Sequence, residues 1–412
     1  NGTVSNLTQP ENLSANLNIQ TVSTTRNDIL SIIPKGVLPE NIQLPDRLSI
    51  RGSFNGDMNR FATDLKLATS SGNASVKGTM AGINDTKNVK YDVVVLADKL
   101  QLGMILKNDS LLGPFNGQII AKGQGFDPSS ARTAVQAEIY DTRFKGYDYN
   151  SLLLTANLQD QVWQATVNVD DPNAKLSLNG GGTISGNYPA VKVDLLVDSI
   201  KTARLNLTEA DIYYHGRVAA DFPSTHPDSL EGKLMITESL LVKDSIRIPM
   251  DTVNMLAGQS DTGRYIRLNT DFVHAELEGT YTLTQLGTVF LQIADPYFSV
   301  TPDSSFVDTD PYDFTLNATV SDAPAIRAFV PELKEMNDLV LESRFSNTDG
   351  PHMKLRLPSL HYGNLQFENF RADAETQNDS LVADISLDRL NNGAIRLYST
   401  TLKTGISNDQ LH

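Results

Sequence analysis

The chain has 412 residues, above the roughly 250–300 at which one hydrophobic core stops growing, so it holds several domains or one extended repeat. Apolar residues make up 40% and charged residues 20%, which excludes a disordered polyelectrolyte. A formal net charge of −15 without a basic cluster excludes a nucleic-acid backbone as partner, and the lack of cysteine excludes disulfides, thiolate catalysis and sulfur-ligated metals.

In chain order, the first ~20 residues are polar and Asn-rich and predict an edge strand of an upstream repeat, or a tail. Asn1 is not an initiator Met, and the chain reads as a processed or excised piece. No apolar run approaches the ~18 residues that a membrane-spanning helix needs. A short helix is predicted over 28–33, followed by a strand from Leu48 to Phe54. Then period-two alternation takes over: Phe61, Thr63, Leu65 and Leu67 against Ala62, Asp64 and Lys66. A second helix is predicted over 98–106. Trp163, Ala165, Val167 and Val169 alternate with Gln164, Thr166 and Asn168, and a third helix is predicted over 198–205. Ala275, Leu277, Gly279, Tyr281 and Leu283 alternate with Glu276, Glu278, Thr280 and Thr282. A fourth helix is predicted over 322–330. The alternations Met353, Leu355, Leu357 and Leu381, Ala383, Ile385, Leu387 close the chain.

Alternation of this kind marks a sheet with one greasy and one wet face. Turn signals separate the runs: Asn55-Gly56-Asp57, Ser71-Gly72-Asn73, Asp170-Asp171-Pro172-Asn173, Asn179-Gly180-Gly181-Gly182 and Asn391-Asn392-Gly393. The expected fold is all-β: about twenty strands in an elongated antiparallel meander, with a few short helices between repeats. Each helix opens near an Asp suited to N-capping. Ile29 to Pro34 and Ile326 to Pro331 share their apolar spacing, and both lead into a further meander. Segments are predicted at 1–26, 27–113, 114–206, 207–321 (with an Asp/Pro-rich loop) and 322–412.

Catalytic chemistry is not found in the sequence. His215, His226, His274, His352, His361 and His412 are scattered, without close metal spacing. The triplet Gly180 to Gly182 lies in strand context with no helix after it, so it reads as a hairpin turn or bulge rather than a phosphate cradle. Asp303, Asp308, Asp310 and Asp313 lack the central Gly and terminal Glu of a calcium loop and read as a solvated connection. Sequons such as Asn73-Ala74-Ser75 and Asn317-Ala318-Thr319 are within chance for an Asn-rich β protein. Asp-Ser/Thr-aliphatic triplets begin at Asp109, Asp198, Asp228, Asp244, Asp251 and Asp379, and resemble an O-glycosylation signal of Bacteroidetes-type bacteria. No cofactor, metal or catalytic residue is expected, and the chain reads as no enzyme.

Several stretches together resemble the TamB family, more broadly the AsmA-like proteins of Gram-negative envelopes, in its Bacteroidetes branch. They are Leu38-Pro39-Glu40-Asn41-Ile42-Gln43-Leu44-Pro45 running into Ile50 to Gly56, and Gly123-Gln124-Gly125-Phe126-Asp127 followed by Phe144 to Tyr149. Asp170-Asp171-Pro172-Asn173, Phe272-Val273-His274-Ala275-Glu276-Leu277-Glu278-Gly279 and Phe329-Val330-Pro331-Glu332-Leu333 complete the series. The ordered series, rather than one motif, carries the likeness, which covers most of 25–410.

The resemblance implies a β-sheet curled into a taco-like groove with an apolar interior. It also implies a periplasmic location, an inner-membrane anchor outside this middle fragment, and an outer-membrane barrel partner of the TamA type met through other regions. The partner inside the groove would be phospholipid acyl chains, and the lining is expected from Phe61, Leu65, Leu67, Trp163, Val167, Leu277, Tyr281, Leu355 and Leu357. About twenty strands at ~4.8 Å each would extend on the order of 100 Å. Sheet sandwiches give the same alternation, so ordinary core packing is the alternative for each residue. A scaffold or chaperone for outer-membrane protein assembly is the alternative function, and a stacked-β adhesin is a third.

Overall fold

A computed structural model describes residues 1–6, 13–32, 41–57, 59–83, 85, 87–244, 246–294, 309–377, 380–407 and 410–411. Strands dominate and almost every one pairs antiparallel with its sequence neighbour, as the alternation requires. The chain divides into two compact units. Unit 1 comprises 1–186 with 193–214, and unit 2 comprises 187–192 with 215–412.

In unit 1, β1 (Gly2–Ser5) and β2 (Ser14–Thr25) lead into α1 (Arg26–Ile32) and β3 (Arg47–Asp57). The hairpin strands β4 (Arg60–Thr69) and β5 (Gly72–Ala81) are followed by β6 (Lys90–Gln101), α2 (Leu102–Leu106) and β7 (Leu112–Gln124). Then come β8 (Arg132–Phe144), β9 (Tyr147–Gln159), β10 (Val162–Asp171), β11 (Ala174–Thr183) and β12 (Val191–Lys201). From β1 to β11 each strand pairs antiparallel with the next, so this part is an open, curled meander. The polar N-terminus is strand: residues 2–5 pair with 14–17, and β2 pairs with β3.

After β13 (Ile212–Ser224), unit 2 runs through β14 (Glu231–Lys243), β15 (Ile246–Ser260), β16 (Gly263–Thr270) and β17 (Val273–Thr280). α3 (Leu286–Ala294), β18 (Asp313–Val320), α4 (Pro324–Phe329) and β19 (Leu333–Met336) follow. The unit closes with β20 (Leu339–Ser346), β21 (Gly350–Tyr362), β22 (Leu365–Gln377), β23 (Ser380–Asn391), β24 (Arg396–Ser407) and β25 (Gln410–Leu411). β18 pairs directly with β20, and β19 and β20 lie end to end along β21.

The helices depart from the sequence expectations in five ways. At 98–106 only Leu102–Leu106 is helical; Asp98 to Gln101 stay in β6, with Lys99 bulged out at φ 51°. At 198–205 no helix forms, because β12 runs to Lys201 and left-handed Asn206 (φ 57°) ends the following turn. Asp28 does not cap α1: Thr25 does, its Oγ1 accepting the Asp28 N–H at 3.3 Å while the Asp28 carboxylate accepts the Thr25 N–H at 3.0 Å. This reciprocal pair is a capping box; the Thr25 hydroxyl, donating to the same carboxylate at 2.7 Å, and then the Thr25 N–H hold the Asp28 carboxyl below its ordinary value. Asp322 is paired to Arg327, and the cap position of α4 is Ala323, which has no side-chain cap.

The fifth departure is a helix that alternation hid. The strand expected to reach Leu283 ends at Thr280, and Leu283–Gln285 begins a 3₁₀ turn that leads into α3. Leu283, Leu286, Val289, Phe290 and Ile293 recur at three- and four-residue steps, which is helical spacing. The glycine triplet is likewise not a turn. It lies inside β11, with Gly182 opposite Trp163 and Gly180 opposite Ala165. A glycine across from an indole leaves the large ring room on the face. Of the acidic run, Asp303 and Asp308 lie outside the described residues, while Asp310 accepts Thr282 Oγ1 at 2.7 Å and Asp313 is ion-paired to Arg344 at 2.8 Å.

One buried carboxylate holds a hairpin end of unit 1. Asp171 is 4% exposed and accepts the Tyr147 hydroxyl at 2.6 Å, the Asn150 N–H at 3.0 Å and the Asn173 N–H at 2.8 Å. Desolvation first, and then the hydrogen bond to Asp171, push the Tyr147 phenol up. Asp171→Ala leaves these donors unmet and is expected to cost about 2–4 kcal/mol. Urea unfolding followed at unit 1 should shift accordingly. Amide exchange at Asn150 and Asn173 should accelerate, and Asp171→Asn should fall between the two.

Candidate functional site

Strand register turns local alternation into continuous rows across each unit. In unit 1 one row reads Ile19, Gly52, Leu65, Val76, Val95, Ile119, Ala137, Leu154, Val167 and Leu178. The parallel row toward one rim carries Phe61, Met80, Tyr91, Leu158 and Trp163. The row on the other side carries Ile50, Leu67, Ile139, Leu152 and Val169. Phe61, Leu65, Leu67, Trp163 and Val167 therefore share one face of one sheet, though they come from strands a hundred residues apart.

Gly52 keeps the central row continuous. Its φ of +135° and a Cβ position only 1.9 Å from the Asp64 carbonyl oxygen leave no room for a side chain. Leu65 stands directly across from it.

Unit 2 repeats the pattern. A row runs Leu234, Met255, Leu268, Ala275, Ala318, Leu341, Leu355, Ala372, Ile385 and Leu402. Beside it lie Ile266, Leu277, Leu316, Met353 and Ala383. Leu277 and Leu355 fall on this face.

The face differs between the units in what covers it. In unit 1 the side chains of Leu65, Val76, Val95, Ile119, Leu154, Val167 and Leu178 are all only half-buried. In unit 2 two helices lie on or beside the face. α3 sets Val289 and Phe290 among Tyr281, Phe314 and Phe345, with the Phe290 ring edge-on to Phe314 at 6.2 Å and to Phe345 at 5.3 Å.

α4 serves a different gap. The N-terminal half of β15 extends beyond the end of β16, and the C-terminal half of β21 extends beyond β20. Into this window go Ala325 and Ala328 against Ile248, while Ile326 joins Leu333, Met336 and Leu357. Tyr281 (5% exposed) and Leu357 (7%) are thus core residues beneath α3 and beside β19, while Phe61, Leu65, Leu67, Trp163, Val167, Leu277 and Leu355 keep partial exposure. α3 is the element of the site that alternation alone passed over; its three- and four-residue spacing was the available signal.

The opposite face is closed by charge. Asp64 and Lys77, Asp92 and Lys122, Arg143 and Asp148, Arg267 and Glu276, and Asp384 and Lys403 are register partners, and each pair forms an ion pair. Exposed pairs of this kind add little net stability, but they keep the wet face wet. Among the described residues three histidines have separate partners: His352 pairs with Glu375, His226 accepts the Asp228 N–H, and His274 bonds Asn269. Among the described residues no group of three or more acidic or His side chains is placed to hold a metal ion.

The chain exposes 24455 Å², whereas two separate compact globules of half its mass would together expose about 19,000 Å². No helix among the described residues is long and apolar enough to cross a membrane. Compared with known proteins, the chain matches no family model, no curated protein and no solved structure.

Burial pushes the Tyr281 phenol up to about 12 from an ordinary value of about 10. The folded state therefore holds the proton where the unfolded chain releases it. The stability from keeping Tyr281 neutral is complete below pH ~10 and declines as pH rises toward ~12, by on the order of 2 kcal/mol in all. Alkaline titration of the aromatic cluster beneath α3, read by near-ultraviolet circular dichroism, should show this loss. Tyr281→Phe should flatten it.

Proposed function

We propose that this chain is a segment of a periplasmic, bridge-like protein of the TamB/AsmA-like kind, whose apolar sheet face carries phospholipid acyl chains between the inner and outer membranes. The observation that supports it is the unbroken apolar row across ten strands of unit 1, whose large side chains remain half-exposed. Apolar surface left wet forgoes about 25 cal/mol per Å², so a face this long favours an apolar occupant. Acyl chains fit because the surface is continuous, unspecific in shape and without buried hydrogen-bonding groups to satisfy. In unit 2, α3 occupies part of that unit's own apolar face, so lipid would lie there only beside the helix or after its displacement. The proposed chain performs no bond chemistry; transfer along a face of equivalent apolar rows needs none.

A second reading, a scaffold for β-rich client proteins, draws on β24. This strand bears exposed Leu397, Tyr398 and Leu402. Among the described residues its outer edge pairs only with the two residues of β25, and an open strand edge accepts further strands.

A photocrosslinker placed at Trp163 or Val167 should give phospholipid adducts, and the same group at Gln164 or Asn168, on the wet face, should give none. Equal labelling of both faces, or of neither, would end the conduit reading. Stable strand-edge complexes with clients and no phospholipid after solvent extraction and mass spectrometry would favour the scaffold.

A further inference from the structure

The two helices of unit 2 stand in different relations to its sheet. α4 fills a gap in the ladder, where Ala325 and Ala328 close on Ile248 beyond the end of β16. α3 covers a sheet that is already complete. It lies in the connection between β17 and β18, yet these strands pair with each other along their whole lengths, from Val273 opposite Val320 to Thr280 opposite Asp313. β18 pairs with β20 in the same way. Lifting α3 therefore breaks no strand-to-strand hydrogen bond.

Beneath α3 the apolar rows of the unit continue. Leu277, Leu316 and Met353 lie in one register row and pack against the cluster of Tyr281, Phe314 and Phe345. Each stands two residues from Ala275, Ala318 or Leu355 on its own strand, so it points to the same apolar side. α3 reads Leu-Gly-Thr-Val-Phe-Leu-Gln-Ile-Ala, without a charged side chain. Val289 is 3% exposed, while Phe290 and Leu291 keep 38% and 44% exposure. A helix apolar on more than its buried side suits a hydrocarbon surround.

A tie from outside this connection comes from Asp228. Its carboxylate accepts the Thr284 N–H at 2.8 Å and the Thr284 hydroxyl at 2.9 Å, in the 3₁₀ turn that leads into α3. Asp228 stands on a fixed post. Its own N–H donates to His226 Nδ1 at 3.1 Å, the His226 ring packs on Tyr188 at 4.2 Å between centroids, and the Thr225 hydroxyl donates to the Pro189 carbonyl at 3.0 Å. None of these contacts uses the Asp228 carboxylate. Two further ties run within the connection and travel with the helix: Gln285 Oε1 accepts the Asp310 N–H, and Gln292 Oε1 accepts the Thr309 hydroxyl, both at 2.8 Å.

We infer that α3 is a displaceable stopper: latched through Asp228 and Thr284 it closes the apolar face of unit 2, and with the latch broken it lifts and opens the row of Leu277, Leu316 and Met353 to a phospholipid acyl chain. The stopper rests on the lipid-conduit reading for its occupant but not for its motion. Acyl chains bind the open arrangement alone, so their presence shifts the balance toward it. Water in their place leaves the exposed rings without an apolar neighbour and favours closure.

Hydrogen exchange in sub-denaturing urea reads the motion without lipid. The amides of α3 should exchange through an opening that leaves the β17–β18 ladder protected. D228A should speed them roughly tenfold, the effect of losing a hydrogen bond to a charged group, with β17 and β18 unchanged. D228N, which keeps one acceptor, should fall between. F290A, which removes the edge-on contacts to Phe314 and Phe345, should speed the same amides with Asp228 intact. Joint exchange of α3 with β17 and β18 makes the helix an integral layer of the core and overturns the stopper. Exchange of α3 that D228A leaves unchanged overturns the latch.

With phosphatidylcholine vesicles, a photocrosslinker at Met353 should give severalfold more lipid adduct in D228A than with Asp228 present, while one at Val167 in unit 1 labels equally in both. Labelling at Val167 with none at Met353 in D228A overturns lipid entry beneath α3 and leaves the conduit standing. Absence of adducts at both positions, with α3 released by exchange, overturns the conduit and with it the stopper's occupant.

Discussion

A slip of one residue between any two strands would turn an apolar row outward and a charged row inward. Everything else in this protein depends on that slip not happening. The register is held from both faces at once: Leu65 must meet Val76 while Asp64 meets Lys77, and Val95 must meet Ile119 while Asp92 meets Lys122. Ion pairs that add little stability can still make the wrong register unfavourable, because a shifted pairing opposes like charges or strands apolar groups in water. The hairpin ends contribute as well, through side chains such as Asp57 and Asp171 that fix where one strand stops and the next begins.

The helices answer places where the sheet alone cannot cover itself. Where β16, β17 and β18 are short beside long β15 and β21, a window forms, and α4 with β19 fills it. Where Phe314 and Phe345 bring large rings to the face, α3 covers them and makes a dry aromatic core. Unit 1 keeps its large apolar side chains half-exposed along nine consecutive pairings. That contrast gives the proposed conduit its character: a surface open to hydrocarbon in one unit, and partly stoppered by its own helix in the other.

The polar groups follow the same logic. Ion pairs join register partners, Asp171 gathers donors at a hairpin end, and His352, His226 and His274 are engaged with separate partners.

Alternation in the sequence determined the all-β antiparallel class, the two-faced strands and the residues of each face, because side-chain direction in a strand is a local property with period two. Phe61, Leu65, Leu67, Trp163 and Val167 could be placed on the greasy face from that period alone. Which strand sits beside which, and at what offset, belongs to the tertiary structure: alternation is the same in every register of equal parity. The sequence therefore left Gly180 to Gly182 readable as a turn, where pairing with β10 makes it the strand opposite Trp163. It also let Tyr281 and Leu357 stand as equals of Leu277 and Leu355. Only the folding of α3 and β19 onto their neighbours removed those two from water, since burial depends on contacts between segments far apart in the chain and not on the period within one of them.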